Sequence, residues 1–267
     1  EENGVLVAQY SLGDIWWSKE KGRVFVWLTV DPAHTGKGYG RQMFAHMEAA
    51  VRALGRTNIS VFVREDQARG KAFAEALGFI QKMRSERSYV DLGSPLPAHL
   101  KTFADDVEAD GVRLVDGLKL QEIYPDDWVV RWWQLHCDVA GDVPTPAPAR
   151  RQTLEEFSSM FTTPGYDARA WHFAIVEGQL AGLTGLRTYE ADPRYAGIQL
   201  TGTRRPFRRR GIAKALKIFS LLEAQRRGIT SVMTMNEEKN PTFQLNLELG
   251  FRSRTASLLY ELQIQPQ

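Results

Sequence analysis

The 267-residue chain reads as an α/β protein with mixed (α+β) sheets, built as two tandem domains of one plan. Three observations predict this. A β-rich run, a basic or glycine-containing turn and a helical pattern occur in VFVWLTVDPAHTGKGYGRQMF (24–44) and again in AGIQLTGTRRPFRRRGIAKALK (196–217). Placing Gly38 on Gly211 puts Val30 on Thr203, and the alignment runs on to ALGF (76–79) and ELGF (248–251) with one residue of slippage. In both copies a helix separates two strand-like runs, a crossover that makes those strands parallel neighbours.

Taken in order, residues 3–12 (NGVLVAQYSL) form a strand that matches the later EGQLAGLTGL hairpin strand at 177–186. So little chain precedes it that the first domain is expected to lack its initial strand and helices, cut off or absent. Val24, Val26, Leu28 and Val30 then interleave with Phe25, Trp27 and Thr29, a pattern suited to a strand covered on both faces. Past the turn, Met43, Met47, Ala50, Val51 and Leu54 fall at helical spacing, as do Ile212, Ala215, Leu216, Phe219 and Leu222. A second strand follows in each copy (58–63; 229–235), then a short helix ending in Leu-Gly-Phe, then β-type sequence (SERSYVDL, 85–92; SLLYELQI, 257–264). The Gly93-Ser94-Pro95 stretch marks a boundary. The expected division is an N-terminal domain at 1–92, a linking helix within 93–111, and a C-terminal domain at 112–267. Ahead of its hairpin the second domain carries DDWVVRWWQLHCDV (126–139), the proline-rich 141–150 and TLEEFSSMF (153–161), none with a counterpart in the first.

Composition narrows the function. Lys plus Arg number 34 and Asp plus Glu 32, a net charge of +2, so no global field draws the protein to nucleic acid or acidic membranes. The arginines of 203–216 act locally. Cys137 is the single cysteine; it excludes an internal disulfide and fits a reducing cytoplasm, as a small hydrophobe rather than a nucleophile. Without an apolar run near the ~20 residues of a membrane helix, no membrane partner is expected. His34, His46, His99, His136 and His172 are scattered and form no HExxH or other ligand pattern, so no metal is expected. Neither a GxSxG elbow, a GK[ST] loop nor a complete GxGxxG fingerprint occurs.

A turn that feeds a helix N-terminus leaves N–H groups unpaired in a field favourable to anions. Here Arg208-Arg209-Arg210-Gly211-Ile212-Ala213 satisfies R/Q-x-x-G-x-G/A. Thr35-Gly36-Lys37-Gly38-Tyr39-Gly40 satisfies it except at Thr35. With the strand before, the helix after and Leu-Gly-Phe beyond, this resembles the GNAT superfamily of N-acetyltransferases, in its tandem, mycothiol-synthase-like form. The resemblance covers nearly all of the chain.

The resemblance implies acetyl-CoA as cofactor, its pyrophosphate wrapped by these turns, and direct transfer of acetyl to an amine without a covalent enzyme intermediate. It implies that a strand N–H holds the acyl carbonyl, at Thr201-Gly202-Thr203 or Leu28-Thr29-Val30, and that Asn236 and Asn240 lie beside the cofactor. Relatives often carry a tyrosine acid four residues before the glycine of Leu-Gly-Phe; here those positions are Ala74 and Asn246. Tyr260 is a candidate substitute. Glu237, Glu238, Glu190 and Asp192 are candidate bases. Trp132, Trp133, His136 and the loop near Asp142 are the candidate acceptor side, suiting a small organic amine. Arg208 against Thr35 assigns catalysis to the second domain and a scaffold or lesser CoA site to the first. A non-catalytic acyl-CoA-binding protein, or a nucleic-acid-binding protein using the arginine run, is the alternative, the latter disfavoured by its single aromatic companion, Phe207.

Overall fold

The computed structural model describes residues 1–14, 22–144, 150–237 and 240–265. In chain order its elements are β1 (Ala8–Asp14), β2 (Arg23–Val30), α1 (Tyr39–Ala53), β3 (Asn58–Arg64), α2 (Ala68–Ala76), β4 (Ile80–Asp91), α3 (Ala98–Ala109), β5 (Val112–Asp116) and α4 (Gly117–Ile123). There follow α5 (Trp128–Ala140), α6 (Leu154–Ser158), β6 (Trp171–Val176), β7 (Gln179–Tyr189), β8 (Asp192–Thr203), α7 (Ile212–Arg226), β9 (Ser231–Glu237), α8 (Pro241–Glu248) and β10 (Arg252–Gln263). No helix among the described residues is long and apolar enough to cross a membrane.

The chain divides into two compact units, and neither is contiguous. The first joins the described residues of 1–85 to those of 255–267; the second comprises 86–144 and 151–254. Strands of the first unit are ordered β1-β2-β3-β10. β1 and β2 are antiparallel, β2 and β3 parallel across the α1 crossover, and β10 runs antiparallel to β3 with Tyr260 opposite Val61 and Glu261 opposite Ser60. Met47 and Val51 of α1 pack with Val24, Val26, Ile59 and Tyr260. Arg23 pairs with Glu261 in a buried salt bridge, and Ser60 lies within hydrogen-bond reach of both.

In the second unit the order is β4-β9-β8-β7-β6-β5. β8 and β9 are parallel neighbours, whereas β5 to β8 are successive antiparallel neighbours, β6 and β7 joined by the tight turn at Glu177-Gly178. One core cluster joins α3 and α7 to the sheet through Leu100, Ala104, Val107, Leu216 and Leu221. Another gathers Trp132, Phe157, Trp171 and Phe173 with Leu183.

Two elements fall differently from the contiguous division expected from sequence. All of SERSYVDL but Ser85 falls in the second unit, where Val90 joins the core and the Leu92 N–H donates to Thr230 O at 2.8 Å. SLLYELQI serves the first unit. Strand alternation specifies two faces and leaves the partner edge open, so either half could have received either strand. α3, expected as a linker, has Leu100, Ala104 and Val107 on one stripe and is packed within the second unit.

Buried ionisable groups make the fold sensitive to composition and to pH. Removing Glu261 would take a buried carboxylate away from the Arg23 guanidinium; Glu261→Ala is expected to cost about 3–5 kcal/mol in urea unfolding, and Arg23→Met with Glu261→Leu to recover most of it. His172 has neither ring nitrogen hydrogen-bonded, and burial holds its pKa down to about 4; burial does the same to His136. Between about 4 and the ordinary 6.5 the unfolded chain binds more protons at these sites, so stability is expected to fall as pH drops through that window. His172→Leu should flatten the plot of Tm against pH there.

Candidate functional site

In both units a parallel strand pair separates soon after it begins. β8 pairs with β7 as far as Thr203 but with β9 only over Tyr195–Gly197, so the edge of Ile198–Thr203 diverges from β9. β2 and β3 likewise pair only over Arg23–Phe25. Backbone N–H and C=O groups on a diverging edge retain hydrogen-bonding capacity for something other than sheet.

The wedge of the second unit opens onto the arginine turn. After β8 the chain passes through a short turn at Arg205–Phe207, puts Arg209 (φ 65°) and Gly211 (φ 74°) in the left-handed region, and starts α7 without a side-chain cap. The first N–H groups of α7 have no intrahelical carbonyl and face its positive end. A cavity of about 440 Å³ lies here. Thr201, Gly202, Thr203, Arg208, Arg209, Gly211, Ile212, Ala213 and Asn240 contribute to its wall; Arg210 and Asn236 do not. Sequence reasoning did not identify Val139, Val143, Lys214, Thr242 and Leu245, which also line it and come from α5 and the segment just after it, α7 and α8.

Most of the arginine run is neutralised by acids from α5 and just beyond it. Arg204 Nε donates to Asp138 Oδ2 at 2.8 Å, Arg205 Nη2 to Asp142 Oδ1 at 2.7 Å, and Arg208 Nη2 to Asp142 Oδ2, with Arg208 Nε also reaching Thr203 O at 3.1 Å. Arg205 and Arg208 together hold the Asp142 carboxyl below the usual range. Arg204 and Arg205 are therefore ion-paired rather than simply solvated loop charges. Arg209, in the cavity wall, has no ion pair among the described residues and is the cation available to an anion. The spacing of Asp138 and Asp142, four apart at a helix end, is the sequence signal for these pairs.

The first unit carries a corresponding cavity of about 760 Å³, walled by Leu28, Thr29, Val30, Thr35, Gly36, Gly38, Tyr39 and Gly40. Lys37 is not in the wall; its Nζ lies 3.5 Å from Glu2. The cation missing at Thr35 is supplied from α2: Arg69 Nη1 donates to Thr35 Oγ1 at 2.9 Å and lines the cavity.

Other candidates lie elsewhere. Trp132 is wholly buried among Phe157, Phe161, Trp171 and Phe173; Trp133 donates Nε1 to Gln152 O at 2.9 Å beneath the Arg151 guanidinium; His136 packs on Phe157. None lines the cavity: Trp132 and His136 are buried on the inward stripe of α5, whose cavity-lining member is Val139, and Trp133 is held at Gln152. Tyr260 belongs to the first unit, where its hydroxyl donates to Glu75 Oε1 at 2.9 Å, and burial and that carboxylate raise its pKa. Glu237 ends β9 outside the wall, and Glu238 lies outside the described residues. Glu190 and Asp192 are exposed at the far end of β8, roughly 30 Å of extended chain from Thr203.

Against known proteins, the profile described as Acetyltransferase (GNAT) family matches residues 1–79 and 128–247. Mycothiol acetyltransferase of Streptomyces avermitilis is 20% identical over 242 residues, 88% of this chain and 70% of that protein. The Frankia alni protein of the same name is 25% identical over 245 residues, 87% and 68% respectively. The chain thus spans about two thirds of these relatives' length. Two solved structures share the fold: a tandem GNAT protein from the clavulanic acid biosynthesis pathway (22% identical, TM-score 0.73, 100% of this chain and 82% of that one) and a GCN5-related N-acetyltransferase from Sphaerobacter thermophilus (18%, 0.72, 97% and 78%).

The two turn glycines differ in what surrounds them. At Gly38 (φ 87°) an added Cβ meets nothing within 4 Å, whereas at Gly211 it comes 2.9 Å from Phe103 Cζ on α3. A side chain at Gly211 would thus strike the core rather than fill the anion space. Gly38→Ala should cost about 1–2 kcal/mol, for the left-handed backbone alone. Gly211→Ala should cost about 2–4 kcal/mol, since overpacking is added. Urea unfolding of both variants checks the difference.

Proposed function

Because the chain belongs to the acetyltransferase (GNAT) family, we propose that it transfers the acetyl group of acetyl-CoA to the amine of a small molecule, in the second unit. The observation that carries this reading is the wedge between β8 and β9 that opens onto the uncapped start of α7. It suits a long, thin cofactor with a diphosphate at one end. When bound, acetyl-CoA supplies an acetyl thioester, an acyl donor to a neutral amine.

This chain's residues then have separable tasks. The N–H groups at the start of α7, with Arg209, hold the diphosphate. The free edge of β8 at Thr201–Thr203 aligns the arm and offers an N–H to the acyl carbonyl, so that charge developing on that oxygen is stabilised where it forms. Asp142 holds Arg208 and Arg205, keeping the turn in shape. Val139, Asp142 and Val143 line the side reached from α5, the approach available to an acceptor. A small-molecule acceptor accords with the acetyltransferase relatives, whose names specify mycothiol. In the first unit the Thr35–Arg69 pair leaves room for an anion, and that unit serves as a scaffold or second, subordinate cofactor site.

Thiol release from acetyl-CoA in the presence of a panel of small amines tests the reading. One lost charge-assisted bond corresponds to about 1.5–3 kcal/mol, or roughly ten- to a hundredfold in affinity. Arg209→Glu is accordingly expected to weaken acetyl-CoA binding at least that much and to abolish turnover, while Arg69→Glu in the first unit leaves most turnover in place. No heat of binding with millimolar CoA in calorimetry, or turnover lost with Arg69 rather than Arg209, would overturn the assignment.

A further inference from the structure

Lys217 lies in the middle of α7, one turn beyond the cavity-lining Ala213 and Lys214, and is only 1% exposed. Its Nζ donates to Asn246 Oδ1 at 2.7 Å, and the ring centroid of Phe251 lies 5.7 Å away. No carboxylate among the described residues pairs with it, and burial holds its pKa down to about 7. A lysine in such a place is costly to the fold. Its usefulness lies in the direction it imposes on its neighbours.

The amide oxygen of Asn246 can only accept, so the Lys217 bond turns it toward α7 and sends Nδ2 the other way. That Nδ2 donates to Asn236 Oδ1 at 2.6 Å, and the Thr234 hydroxyl donates to the same oxygen at 3.3 Å. With both acceptor sites of that oxygen in use, the Asn236 amide cannot flip without losing two bonds. Asn236 lies on the part of β9 beyond its pairing with β8, four residues before the cavity-lining Asn240; it is not itself in the cavity wall, and its Nδ2 takes no part in this network.

We propose that Lys217 is a positioning residue which, through Asn246, fixes the Asn236 amide as an outward N–H donor to a carbonyl or sulfur of the thioester arm held between β8 and β9. This rests on the acetyl-CoA reading of the wedge. Neither the arginine turn nor the strand edge requires Lys217, so its effect is separable from theirs.

Four variants and two measurements test it. Lys217→Met and Asn236→Ala should each weaken acetyl-CoA binding about tenfold by calorimetry, the worth of one hydrogen bond. The double variant should lose no more than either alone. Lys217→Gln, which keeps a donor, should recover most of the loss. Independently of any cofactor, the side-chain amide resonances of Asn236 and Asn246 in ¹⁵N-labelled protein should be sharp and slow to exchange in the wild type and broadened in Lys217→Met. Additive losses, unchanged binding in Lys217→Met, or unaltered amide resonances would overturn the proposal. Wild-type protein that does not bind acetyl-CoA would overturn the function instead, and the amide spectra would still decide the network. Should Lys217→Met fail to fold, Asn236→Ala at its half-buried position and Lys217→Gln carry the test.

Discussion

A sheet must have its edges paired or protected, and in the first unit that requirement is met from the far end of the chain. β3 has a complete antiparallel partner in β10, from Asn58 opposite Gln263 to Arg64 opposite Ser257. The same strand brings Glu261 to Arg23, so that the buried guanidinium meets a carboxylate there. It also brings Tyr260 and Leu258 into the core under α1. The first unit is consequently built from contacts of very large sequence separation, a topology whose loop-closure entropy must be met before the contacts reward it. Its sheet is complete only once residues 257–263 pair with β3.

The same local physics then produces a site twice. A parallel pair joined by a helix crossover starts in register and diverges, freeing a strand edge, while the following helix begins beside that edge with its N–H groups uncapped. What differs is the electrostatic dressing. The second unit surrounds its turn with five arginines and then neutralises three through Asp138 and Asp142, which leaves Arg209 and Arg210 without an ion pair among the described residues, Arg209 being the one in the cavity wall. The first places Thr35 at the turn and brings Arg69 across from α2. The answer to what the arginine run does is thus mostly structural. Three of its members fasten β8 and the turn to α5.

Polar groups buried in the second unit show how specificity is added on top of packing. Leucine or methionine would fill the space of Lys217 more cheaply, but would leave the Asn246 oxygen without a donor and the orientation of two amides undetermined. His172, packed on Phe219 and without a hydrogen-bond partner among the described residues, carries no such network, and burial lowers its pKa.

Much was legible in the amino-acid order alone. The repeat, the parallel crossovers, the helix after each turn and the stretches that wall the two cavities follow from local periodicity and from glycine at positions needing a left-handed backbone, all properties encoded within a few residues. Tertiary structure alone decided the rest. Which unit receives 85–92 and which 257–264 depends on pairing between segments far apart, to which alternation is blind. Whether Trp132 and His136 face a ligand or a core depends on which stripe of α5 turns inward, and they are buried on the same stripe as Leu135. Whether Arg208 is free depends on Asp142, 66 residues away along the chain, because charges pair by distance in space and not by order in sequence.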